Sequence, residues 1–209
     1  MNGMDKLELY VVRHGETEWN KEGRLQGWLD SDLTAKGIKQ AKQLRKKLEL
    51  ISFDAAYAST SKRAYETANI LVGDVLPINT DSRLQEIHLG NWQGKFIHDI
   101  EREDRERYDT YCHKPAEYIP DSGENIEQVM KRMHEFFQEC VERHEKGRVL
   151  IVSHGVAIRA LLLTLLHWPI EKLWDFNEIV GASVTKIVVN SKGIDVEYIG
   201  KESTDMTNS

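Results

Sequence analysis

Two stretches of the chain run from an apolar segment into a His-Gly pair: Val11-Val12-Arg13-His14-Gly15 and Ile151-Val152-Ser153-His154-Gly155. An imidazole at a strand end can serve as nucleophile or general base, and the glycine behind it lets backbone approach a ligand closely. Either histidine alone is as well explained by a capped strand or a satisfied buried carbonyl. Two of one design make coincidence a poorer account. In open α/β sheets ligands sit outside the carboxyl ends of the strands, so the histidines meet if their strands are neighbours.

A third piece, Ser59-Thr60-Ser61-Lys62-Arg63-Ala64, places two cations in the first turn of a predicted helix. Positive charge there opposes the helix dipole, typically by roughly 0.3–1 kcal/mol. An anion between the cation and the free N–H groups would relieve that cost. A solvated pair that tolerates the cost explains Lys62 readily and Arg63 less well. Arg13 and Arg63 could each grip phosphate oxygens with two nitrogens, which lysine cannot do. Glu86, in Leu84-Gln85-Glu86-Ile87-His88-Leu89-Gly90, has apolar neighbours that would raise its pKa and let it hold a proton for a leaving group. From spacing alone an exposed loop glutamate is the plainer reading.

The elements that must carry these residues alternate between strand and helix. Leu7 to Val12 reads as a strand buried on both faces. Thr34 is placed to cap a helix whose Ile38, Ala41, Leu44 and Leu48 share one face. Phe53 to Ala58 predicts a second buried strand, followed by a helix over about 61–72 and a short strand over 76–79. A long helix begins near Asn125, with Gln128 as its capping-box partner and Ile126, Val129, Met130, Met133, Phe137, Cys140 and Val141 on its apolar face. Arg148 to Ser153 predicts another strand, and Val156 to Leu166 a buried helix ended by Pro169. Ser183 to Val189 and Ile194 to Ile199 flank a hairpin turn. This pattern predicts one domain over 1–209, an α/β fold with a parallel-dominated sheet covered on both faces. Charged residues 95–120 predict short helices capping one end of the sheet, and 201–209 a mobile polar tail.

The 209 residues carry a formal net charge of −6, which argues against nucleic acid or an anionic membrane as partner. Any phosphate must be attracted by a few placed cations. Cys112 and Cys140 read as reduced thiols, the 1–6 segment lacks the pattern of a leader, and 156–166 is too short to span a bilayer. A cytoplasmic protein is the default expectation. Oligomeric state is not legible. Residues 90–95 are one short of a P-loop and are followed by Phe96, so no nucleotide site is expected there.

The motifs resemble those of the histidine phosphatase superfamily, the phosphoglycerate mutase-like fold. The resemblance rests on Arg13-His14-Gly15-Glu16-Thr17 with Asn20, then Gln26-Gly27-Trp28 to Asp30, Leu33-Thr34 and Gly37. It continues through Ser59, Arg63-Ala64, Thr67-Ala68, Leu84, Glu86, Gly90, Trp92, Gly94, Gly123-Glu124 and Ser153-His154-Gly155. The segment from Glu86 to Gly94 is similar to that of the broad-specificity phosphatase branch.

The resemblance implies a three-layer α/β/α sandwich with a mostly parallel mixed sheet. It implies that His14 attacks phosphorus to form a phosphohistidine, with Arg13, Arg63 and His154 around the phosphoryl group. Glu86 would protonate the leaving alcohol and then help activate water. Asn20, Gln26, Gly27 and Gly155 would line the substrate site. The substrate would be a small phosphomonoester, taken with broad specificity and without metal or cofactor. Physically, Arg13 and Arg63 would lower the His14 pKa and stabilise charge on the equatorial oxygens.

Two other readings stand beside this one. A phosphoglycerate mutase would need basic groups for a second acidic end of its substrate. Arg102, Arg105 and Arg107 could supply them, but Glu101, Glu103, Asp104 and Glu106 are interleaved as on a solvated face. A non-catalytic phosphoryl-binding protein would keep the fold while losing chemistry. Trp28, Trp92, Tyr108 and Tyr111 either line an entrance for apolar esters or simply pack.

Overall fold

A computed structural model describes residues 6–206. Its elements, in chain order, are β1 (Leu7–Arg13), α1 (Glu18–Glu22), α2 (Ala35–Lys47), β2 (Ala55–Ser59), α3 (Lys62–Val72), β3 (Ile78–Asp81), α4 (Ile97–Glu103) and α5 (Arg105–His113). They continue with α6 (Ile126–His144), β4 (Gly147–Ser153), α7 (Gly155–Leu165), β5 (Val184–Asn190) and β6 (Gly193–Lys201). The strands form one mixed sheet in the order β3-β2-β4-β1-β5-β6. The first four in that order run parallel, while β5 and β6 are antiparallel.

Alternation along β1 divides the core. Leu7, Leu9 and Val11 face a cluster containing Val129, Met133 and Phe137 of α6 and Ile158, Leu161 and Leu162 of α7. Tyr10 and Val12 face the opposite cluster, with Leu44 of α2 and Ala64, Ala68 and Leu71 of α3. Helices therefore cover both faces, giving the expected three-layer α/β/α sandwich.

Local signals hold where short-range chemistry decides. Asn125 and Gln128 close the capping box that starts α6. On α2 Ala41, Leu44 and Leu48 are buried as read, while Ile38 lies toward solvent and Gly37 beside it is buried. Gly37 sits at a close approach, where any Cβ would collide with the Glu16 backbone. α7 ends before Pro169, because His167 turns into the left-handed region at φ 54°. Within 201–209, expected as a mobile tail, Lys201 closes β6 and Met206 packs against Tyr10's side of the core. Residues 1–5, which make up most of the 1–6 segment without a leader pattern, and 207–209 lie outside the described residues. Among the described residues no helix is long and apolar enough to cross a membrane.

β4 lies between β1 and β2, so the chain returns late to fill the slot beside its first strand. Val12 pairs with Val152 and Arg13 with Ser153. The residues that follow, His14 and His154, thus leave the sheet side by side.

Candidate active site

The rings of His14 and His154 stand 5.1 Å apart, tilted edge to face. His14 Nδ1–H donates to the Gly15 carbonyl at 2.7 Å, which can only accept. The lone pair is thereby left on Nε2, toward which Arg63 Nε–H points at 3.4 Å. His154 Nε2 lies 2.8 Å from Ser59 Oγ and 3.3 Å from Ser61 Oγ, while its Nδ1 is buried without a partner. Burial, and after it the Arg63 and Arg13 charges, push the pKa of His14 well below the ordinary imidazole value. Burial and then Arg63 do the same to His154. The sequence reading credited the arginines alone.

The loop that carries His14 is fixed from both sides. The Gly15 N–H donates to Thr67 Oγ1 of α3 at 3.1 Å. Gly15 also abuts the Gly37 carbonyl so closely that a Cβ would come within 2.6 Å of it.

Arg63 is 1% exposed and fully engaged by the protein. Its terminal nitrogens donate to the carbonyls of Leu29 at 2.7 Å and Gly27 at 2.8 Å, and to Asp30 Oδ1 at 2.6 Å. Asp30 also accepts the Lys62 and Arg63 N–H groups at the start of α3. The anion inferred at this helix terminus is therefore the protein's own carboxylate, and Lys62 is an exposed partner of Asp32. Arg63 offers the cavity its Nε edge rather than a two-pronged grip. Arg13 donates to the Ile179 carbonyl at 2.9 Å, and its Nε is buried and unpaired.

Glu86 is neither an exposed loop residue nor set in apolar surroundings. It accepts the N–H groups of Ile87 at 2.9 Å, Val156 at 3.1 Å and Ala157 at 3.0 Å, the last two from the first turn of α7. Arg132 of α6 shapes this loop by donating to the carbonyls of Arg83, Gln85 and Glu86, while pairing with Glu124. Sequence reasoning missed Arg132, whose spacing on α6 looks like any solvated position.

A cavity of about 370 Å³ opens on these groups. Arg13, His14, Arg63, Glu86, Asn20, Gln26, Gly27 and Gly155 all line it. Asn20 is committed in part to the α1 capping box through Thr17, and Gln26 Oε1 accepts from Ser31 Oγ. His154 is fully buried beside His14 and is not among the residues that line the cavity. Tyr108, Tyr111 and Cys112 bring α5 to the wall, together with Leu25, Leu89, Val156 and Trp174.

Of the tryptophans, Trp92 is 1% exposed and packs among Tyr108, Tyr111 and Tyr118. Trp28 is half-exposed against His88 and donates to the Glu86 carbonyl at 2.8 Å. Both cysteines are free thiols. Arg102 pairs with Asp99 and Glu103, and Arg107 with Asp104 and Asp121. Those arginines face acids, not the cavity.

The family model described as histidine phosphatase superfamily (branch 1) matches residues 9–201. The chain is 32% identical over 201 residues to the adenosylcobalamin/alpha-ribazole phosphatase of Escherichia coli K12, covering 91% of this chain and 99% of that one. It is 36% identical over 165 residues to a probable phosphoglycerate mutase GpmB of Salmonella arizonae, covering 78% and 76%. The solved structure of Bacillus stearothermophilus YhfR superposes with a TM-score of 0.91 at 43% identity, covering 93% and 97%.

Proposed function

Because the chain belongs to branch 1 of the histidine phosphatase superfamily and is a hydrolase of phosphomonoesters, we propose that it works through a phosphohistidine on His14, without metal, on a range of small esters in the cytoplasm. The observation that carries this is the state of His14 Nε2. The Gly15 carbonyl holds the proton on Nδ1, the burial keeps the ring neutral, a guanidinium edge points at the Nε2 lone pair, and a second imidazole lies beside the ring.

In the first step Nε2 attacks phosphorus as the bond to the alcohol oxygen breaks. Arg13 Nε is a buried donor without a protein partner, Arg63 Nε passes from His14 Nε2 to an equatorial oxygen as the lone pair turns to phosphorus, and His154 Nδ1 is a further unpartnered nitrogen beside the His14 ring. Preorganised charge of this kind is the main need of phosphoryl transfer. The Glu86 carboxyl is the group that gives a proton to the departing alkoxide. In the second step the Glu86 carboxylate takes a proton from water, whose oxygen attacks phosphorus while the P–N bond breaks. Phosphate leaves and His14 is restored. The tie from Glu86 to the first turn of α7 holds its carboxyl at the mouth of the site for both steps.

Rapid quenching after brief exposure to a radiolabelled aryl phosphate tests the reading. Acid-labile, base-stable label should appear on the peptide containing His14, and EDTA should leave turnover unchanged. Turnover without label on His14 rules out the intermediate. Loss of rate in EDTA rules out the metal-free route.

A further inference from the structure

Four arginines line the cavity: Arg13, Arg24, Arg63 and Arg159. Arg24 has Glu22 at 3.4 Å and Arg63 has Asp30 at 2.6 Å. Arg13 serves the phosphoryl group in the reading above. Arg159 is left over. Its terminal nitrogens donate to the carbonyls of Gly155 at 3.0 Å and Phe176 at 2.9 Å, and Trp174 lies under its guanidinium at 5.7 Å. Its Nε is buried without a partner, and among the described residues no carboxylate pairs with it.

A largely desolvated cation without a hydrogen-bonded counter-charge is costly, and proteins normally pair one or remove it. Here the guanidinium is held by neutral carbonyl acceptors, while Glu86 and Glu178 act on it without forming an ion pair. Its position says what it waits for. Arg159 and Arg13 flank the same edge of Gly155. The charges acting on His14 are those of Arg63 and Arg13. Those acting on Arg159 are Arg13, Glu86, Tyr111 and Glu178, and Glu86 accepts from Val156 and Ala157, the residues next to the Gly155 whose carbonyl takes Arg159. Arg159 thus stands behind Arg13, on the Glu86 side of the phosphoryl site, where the alcohol half of the ester must lie.

We propose that Arg159 is a specificity-determining residue that receives an anionic group, a carboxylate or a second phosphate, carried by the alcohol half of the substrate. The assignment rests on the hydrolase reading above and narrows it. The cavity volume is near the low end for ligand sites, roughly 300–1,000 Å³, so the anionic group must lie within a few bonds of the ester oxygen. Leu89, Tyr111, Val156 and Trp174 would then pack the carbon skeleton. Such a substrate is the product of a reaction that phosphorylates a small hydroxy acid or a diol monophosphate.

The test compares 3-phosphoglycerate, 1,3-propanediol bisphosphate and glycerol 3-phosphate, the last lacking a second anionic group. Wild-type kcat/KM should favour at least one charged ester over glycerol 3-phosphate, and the better one identifies the group. In Arg159→Met that ratio should fall about 10- to 100-fold, the range for one charge-assisted contact, chiefly through KM. Arg159→Lys should restore part of it. Because the readout is a ratio within one protein, partial misfolding cancels. An unchanged ratio, or a wild type that prefers the neutral ester, overturns the assignment. Equilibrium binding of the same esters to the His14→Ala protein separates the two readings. A charged-ester preference there, abolished by Arg159→Met, upholds the subsite even if no turnover is found. No preference in binding overturns it even if turnover is rapid.

Discussion

Asp30 and Arg63 behave as one unit: a single carboxylate caps the first turn of α3 and holds the guanidinium whose Nε faces the nucleophile. The pairing resolves the conflict of a cation at a helix N-terminus. The carboxylate offsets the dipole and the buried charge together.

Asp30→Asn should therefore reduce both stability and rate. Breaking a buried pair costs about 3–5 kcal/mol in general, and the partial exposure of Asp30 makes about 2 kcal/mol the expectation here. Turnover should drop about tenfold or more as Arg63 loses its orientation. Urea titration and steady-state kinetics measure the two effects. In an Arg63→Ala background the same change should cost little further rate, since both act through one contact. Full additivity would separate the residues.

The His14 and His154 rings should stay neutral well below pH 6.5, because burial depresses both pKa values. For groups lowered on folding, protonation favours the unfolded chain. This contribution to stability is therefore complete above about pH 6.5 and declines as pH falls. Nitrogen-15 imidazole spectra on the free enzyme should show no charging of either ring through that range. A midpoint at or above the ordinary value would contradict the buried geometry.

Glu86→Gln should slow esters of poor leaving groups far more than activated aryl phosphates. Only the former need a proton delivered in the transition state, an effect of about 10²–10⁴-fold. Glutamine keeps one acceptor oxygen, enough for the Ile87 and Ala157 N–H groups that share Oε1, but leaves the Val156 N–H without its acceptor and cannot give up a proton to the alkoxide. Equal losses on glycerol 3-phosphate and 4-nitrophenyl phosphate would remove Glu86 from the acid role.

At the opposite end of the sheet, Glu8 is buried among Lys6, Arg148 and Lys186. Burial acts to raise its pKa, but the three cations prevail and hold it at about 2, against an ordinary 4.5. The group is depressed on folding, so its stabilisation is full above about pH 4.5 and is lost as pH falls toward 2. Glu8→Gln should flatten the acid limb of stability between those values and cost on the order of 2 kcal/mol at neutral pH. Chemical denaturation at several pH values reads both. An acid limb unchanged in the variant would assign that limb to other groups.

Much of this was legible before any coordinates. The two His-Gly strand ends, the α6 capping box and the alternation along β1 are written in adjacent residues, where local chemistry decides. What escaped reading depends on partners far along the chain. Glu86 finds its N–H donors seventy residues away on α7, and no local pattern announces that. Arg63 was expected to grip phosphate with two nitrogens, yet the 27–30 loop claims both. On α2 the periodicity places Ala41, Leu44 and Leu48 correctly, but the close approach of the Glu16 backbone that requires Gly37 lies twenty-one residues upstream and leaves no local sign. Arg159 sits in a nearly all-apolar helix, and only the unpaired Nε in the folded chain marks it out.

The parallel register of β1 and β4 has one further consequence. Side chains on adjacent strand positions point to opposite sides of a sheet. Deleting one residue from within either strand would leave the fold's outline intact yet turn one imidazole away from the other. The spacing of the two histidines is thus inherited from hydrogen-bond phase. Any lineage that shortened or lengthened one of these strands by an odd number of residues would forfeit its chemistry in a single step, well before it forfeited its shape.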